Sequence, residues 1–119
     1  MTKARLLDAV NVLEATLARS ARLGNEGLDD HRRDAIQIRR MLATQNVEIA
    51  RLGDEAFDKP EQLAEFRTLF ARMRSATAFH QALWPVVSID LEHPDYLASL
   101  ESTREANKHF IAWVRRMLT

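Results

Sequence analysis

Hydrophobic side chains recur along this chain at steps of three and four residues, the spacing that stacks them on one face of an α-helix. Leu6, Val10, Leu13 and Leu17 form a first stripe. Ala35, Ile38, Leu42, Gln45, Ile49 and Leu52 form a second, and Leu63, Phe66, Phe70, Met73, Thr77, His80 and Trp84 a third. Leu97, Leu100, Ile111, Val114 and Leu118 share a fourth, with Phe110 and Trp113 beside it.

Between the stripes lie clustered break signals: residues 24–27 with two glycines, residues 53–60 from Gly53 to Pro60, and residues 85–94 from Pro85 to Pro94. They divide the chain into helices expected near residues 3–23, 28–52, 58–84 and 94–118. Gly24 and Asn25 suit a left-handed stop for the first helix, and Gly53 would stop the second. Asp29 or Asp30 can cap the second helix, and acids in a first turn favour the helix dipole. Asp58 with Glu61 has capping-box spacing for the third, with Pro60 near its first position. Pro85 is expected to kink or end the third helix, because its ring clashes with the carbonyl four residues back. Helices of this length are marginal alone in water, so the stripes must pack on one another. The expected fold is all-α, an antiparallel four-helix bundle forming one domain over residues 1–119.

Composition narrows the functional classes. The 119 residues carry 17 Lys+Arg and 17 Asp+Glu, a formal net charge of zero, which argues against a phosphate-backbone binder. Arginine outnumbers lysine fourteen to three, and the pairs Arg32-Arg33 and Arg39-Arg40 recur seven apart on one side of the second helix. Asp29, Asp30 and Asp34 dilute that field, so nucleic acid is not the favoured partner. Cysteine is absent, so no disulfide scaffold, thiolate metal site or cysteine nucleophile is available. Apolar runs are too short to span a bilayer, and the basic N-terminus is not followed by a signal-like apolar segment. A cytoplasmic protein without membrane contact is the resulting expectation.

Catalytic and cofactor motifs are missing from the pattern. No Glu-x-x-His pair or His-Glu-x-x-His run supports a metal site, and the isolated glycines make no phosphate loop. Neither an enzyme nor a cofactor is expected. Two constellations remain. Trp84, Val87, Ile89, Leu91 and Tyr96 crowd the third break, where a connection is normally polar, and an exposed apolar end marks a partner site. The leading expectation is therefore a non-enzymatic protein–protein interaction module, adaptor-like, chaperone-like or regulatory, whose partner is another protein or a second copy in a homodimer.

The other constellation is polar. His31, His80, Arg104 and Asn107 interrupt the apolar faces of three helices, and antiparallel pairing places His31, His80 and Arg104 at similar height. This is the alternative expectation: a small-ligand or anion-binding bundle using a buried His/Arg layer. An acid such as Asp30 or Asp34 pairing with Arg104 would instead make the layer purely structural.

Overall fold

The structure, a computed structural model, describes residues 2–22 and 28–119. The expected stop at Gly24 and Asn25 lies outside the described residues. Four helices account for most of the chain: α1 (Thr2–Arg22), α2 (Leu28–Ala56), α3 (Pro60–Leu83) and α4 (Pro94–Leu118). A short 3-10 turn, Val86–Ser88, lies between α3 and α4. The described residues contain no strand. At 1.5 Å rise per residue α2 is about 43 Å long, which accounts for the 45 Å long axis of the molecule.

Contacts between neighbouring helices pair residues in reverse order. Between α3 and α4, Phe66 meets Trp113, Phe70 meets Phe110, the Ala76 carbonyl accepts from Thr103 and His80 bonds to Ser99. Between α1 and α2, Thr16 accepts from Gln45 and Arg19 donates to Gln37. These are the contacts of helices running against one another, as short connections require.

Helix boundaries follow local chemistry, with several departures from the sequence reading. The second helix does not stop at Gly53 but continues to Ala56. Gly53 serves packing: a Cβ there would lie 2.1 Å from two ring atoms of Phe66. The chain leaves helical geometry before Pro60, where Lys59 is extended at φ −83° and ψ 127°, as a residue preceding proline tends to be. Lys59, not Asp58, is the N-cap of α3, and no side-chain cap bond forms there. Asp29 and Asp30 sit within the first turn of α2. The third helix ends at Leu83, with Trp84 outside helical geometry and Pro85 beyond it. His93 caps α4 by accepting from the Asp95 amide at 3.1 Å, a role its sequence did not announce.

The stripes bury as their spacing demands, but unevenly along the axis. One end is filled by aromatic rings. Phe66 packs on Phe57, Phe70, Phe110 and Trp113 with ring centroids 5.3–6.3 Å apart. Leu6, Val10, Leu13, Ile49, Leu52, Ala56, Leu69, Met73, Ile111 and Val114 complete this main core. Phe110 and Trp113, expected beside the fourth stripe, are fully buried within it, whereas Leu97 on the stripe is 49% exposed and its neighbour Tyr96 is buried. The other end holds a smaller cluster of Ala35, Ile38, Ile89 and Tyr96. No described helix is long and apolar enough to cross a membrane.

Candidate functional site

Small and polar side chains border the less filled end: Ala18 and Ala21 of α1, both exposed, Ala35 of α2, Thr77 of α3 and Thr103 of α4. The volume they leave is a cavity of about 700 Å³ reached by all four helices. That falls in the range of roughly 300–1,000 Å³ common for small-molecule sites. On α4 the lining recurs as Leu100, Thr103, Arg104, Asn107, Ile111 and Arg115, one whole face of the helix.

All four residues of the expected polar layer, His31, His80, Arg104 and Asn107, line this cavity. His31, His80 and Asn107 are buried, and Arg104 is half-buried. Gln45, another polar interruption of a stripe, stays outside it and donates to Thr16 at 2.8 Å.

Arg39 is the lining residue that the sequence reading missed. Its Nη2 donates to the Trp84 carbonyl at 2.7 Å, tying α2 to the segment after α3. Arg32, one heptad earlier, donates to the Ile89 carbonyl at 3.5 Å. The expected basic face of α2 is therefore divided: Arg32 and Arg39 turn onto the molecule and Arg33 and Arg40 remain exposed.

Among the described residues, the charges of the cavity are unbalanced. No carboxylate among the described residues lies within ion-pair distance of Arg39 or Arg104. Asp30 pairs with Arg33, and Asp34 makes no ion pair among the described residues. The one acid of the lining among the described residues, Glu14, is held by Arg115 through two bonds of 2.7 and 2.8 Å, with Asn11 accepting from the same guanidinium. Those bonds from Arg115 hold the Glu14 carboxyl below its ordinary pKa.

Titration follows the same positive field. Burial, and then the Arg39 charge, push the His80 imidazole below its ordinary value, so the ring is neutral near pH 7. Burial raises the Tyr96 phenol, and the Arg39 and Arg104 charges oppose that rise. Burial also lowers the pKa of Arg39 itself, although a guanidinium stays charged throughout the physiological range.

His80 Nδ1 lies 2.7 Å from Ser99 Oγ. Ser99 is outside the cavity lining, and no acid forms an ion pair with His80 among the described residues. The pair lacks the orienting third group of a nucleophile–base arrangement and serves to join α3 to α4. No cluster of His, Asp and Glu among the described residues could hold a metal ion.

The residues expected to form a partner surface have separate fates. Ile89 is 2% exposed and Tyr96 5%, both in the second core cluster, and both line the cavity. Leu91 is half-buried and also lines it. Trp84 is half-buried, edge-on to Tyr96 at 5.4 Å and 5.2 Å from the His93 ring. Val87 alone of the five projects fully, at 77% exposure. The apolar connection folds back on the bundle because burying Ile89 and Tyr96 removes large side chains from water.

Comparisons of the chain with protein families, with curated proteins and with solved structures found no match.

Proposed function

We propose that this chain is a non-catalytic, small-molecule-binding helical bundle that holds a partly apolar ligand in the inter-helix cavity. The observation that carries the reading is the cavity itself. About 700 Å³ is bounded by Leu17, Ile38, Leu42, Leu100 and Ile111 together with polar and charged side chains, among them His31, Arg39, His80, Arg104 and Asn107. Apolar walls that retain a ligand, combined with polar groups that can orient it, are the usual make-up of a ligand pocket.

The test uses an uncharged fluorophore, N-phenyl-1-naphthylamine, whose emission rises in apolar surroundings. Saturable binding at one site per chain is expected. Ala35→Phe places a ring in the cavity from its α2 wall and should abolish binding while the helical signal is retained. Binding untouched by that change would locate the fluorophore elsewhere and remove the basis of the proposal.

A specific observation also supports self-association, the second reading. Phe79, Leu83 and Val87 are 66%, 53% and 77% exposed near the end of α3 and the turn after it. A second copy covering this patch would remove its apolar surface from water. Sedimentation equilibrium decides the matter: a concentration-dependent mass that Val87→Asp abolishes supports it, and a monomer at all concentrations rejects it.

A further inference from the structure

We infer that the cavity selects an apolar molecule ending in a single carboxylate, whose head lies between Arg39 and Arg104 and whose body runs along Leu42, Leu100 and Ile111. The inference rests on the ligand-binding reading above and adds the chemical class of the ligand.

Three features converge on it. Arg39 comes from α2 and Arg104 from α4, yet both line the same cavity, and neither has a carboxylate partner among the described residues. Bringing guanidinium groups against apolar walls is costly unless an anion compensates them. Among the described residues the lining contains no acid free to do so, since Glu14 is committed to Arg115. We assign the compensating negative charge to the ligand.

The surroundings set what kind of anion fits. Arg39 already spends one Nη2 bond on the Trp84 carbonyl, so it presents an incomplete fork. Arg104 makes no hydrogen bond within the described chain and keeps all its donors. Tyr96 adds a neutral hydroxyl that can donate. Such a donor set can engage both oxygens of a carboxylate. A phosphate monoester brings a third oxygen and up to two charges, at a larger desolvation cost beside an apolar wall. Aliphatic side chains flank the head position, so the remainder of the molecule must be apolar to be retained.

The experiment is a calorimetric titration of the full chain with four submicellar probes of equal chain length: decanoate, decanol, decyl phosphate and decyltrimethylammonium. Decanoate should bind most tightly and the cationic probe least. Arg104→Met keeps an unbranched stem and removes the charge, and because Arg104 bonds to nothing in the described chain it should leave the fold intact. It should weaken decanoate binding by about tenfold to a hundredfold, the worth of a hydrogen bond to a charged group, and leave decanol unchanged. Arg104→Lys should restore part of the loss. Equal binding of decanol and decanoate, or decanoate binding insensitive to Arg104→Met, overturns the carboxylate assignment while the apolar cavity stands. Tighter binding of decyl phosphate also overturns it, in favour of a phosphate head. Binding of no probe, with the neutral fluorophore also failing, overturns the ligand-binding reading and this inference with it.

Discussion

Replacing Gly53 by alanine sets two effects of opposite sign against each other. Gly53 lies inside α2, where alanine is the better helix former by about 1 kcal/mol. On an open helix face the change would stabilise. Here the added Cβ would stand 2.1 Å from Cε1 and Cζ of Phe66 and 2.9 Å from Cδ1. The ring would have to retreat by more than 1 Å to reach ordinary contact at 3.4 Å. It has little room, because Phe66 is 1% exposed and Phe57, Phe70, Phe110 and Trp113 surround it. Overpacking of this kind costs about 1–3 kcal/mol, and 2.1 Å belongs at the severe end.

The expected balance is a net destabilisation of about 1–2 kcal/mol, with a thermal midpoint lowered by at least about 4 °C. Urea unfolding followed by far-ultraviolet circular dichroism measures it. Adding Phe66→Leu should relieve the crowding, so the double variant should fall short of the summed single effects by about 1 kcal/mol or more. A Gly53→Ala protein as stable as the parent would show that Phe66 does not lie against the glycine. The packing of the aromatic end would then be misassigned.

Other expectations concern the site and its supports. His80 has its pKa lowered by burial and by Arg39, so the unfolded chain binds a proton more readily than the folded one. Its contribution to stability is intact above pH 6.5 and is lost as pH falls from there through the folded value; denaturant midpoints at pH 7 and pH 5 should differ less in His80→Gln than in the parent. Arg39→Met should free the Trp84 carbonyl and raise amide hydrogen exchange at Ile89 and Ser88, while exchange in the Phe66 region stays unchanged. Equal protection of Ile89 in both proteins would show that Arg39 does not hold the segment down. Glu14→Gln loses a largely exposed link between α1 and α4, so urea unfolding should show a cost of no more than about 1 kcal/mol; a larger loss would make that link a main support of the fold.

Periodicity made the helices legible because a buried face repeats whether or not its partner is known. Leu6, Val10, Leu13, Ile49, Phe66, Met73 and Val114 all bury as their spacing implies. The start of α4 was misjudged on its stripe: Tyr96 is buried and Leu97 exposed, since a shift of one residue turns a side chain about 100° around the axis. Gly53 resembled a stop signal because a missing side chain has the same appearance in sequence whether it ends a helix or admits a neighbouring ring.

The site was legible in its polar half. His31, His80, Arg104 and Asn107 interrupted apolar stripes, and an interruption on an inward face has to be reconciled with burial. Arg39 was hidden beside an exposed Arg40, on the flank of its stripe. The cavity was hidden for a different reason. Ala18, Ala21 and Ala35 read as ordinary helix-forming residues, and the volume they leave exists only once four helices surround it. The connection after Pro85 read as an exposed apolar tip because sequence shows its hydrophobicity but not the cluster that receives Ile89 and Tyr96.

The most direct test of a ligand-binding bundle is a methyl-resolved nuclear magnetic resonance titration with decanol, an uncharged probe. Saturable shifts are expected at Leu17, Ile38, Leu100 and Ile111, which line the cavity from three helices, and none at Val47 on the exposed side of α2. Shifts confined to Leu83 and Val87, or no shift at any cavity methyl, would contradict the ligand-binding reading.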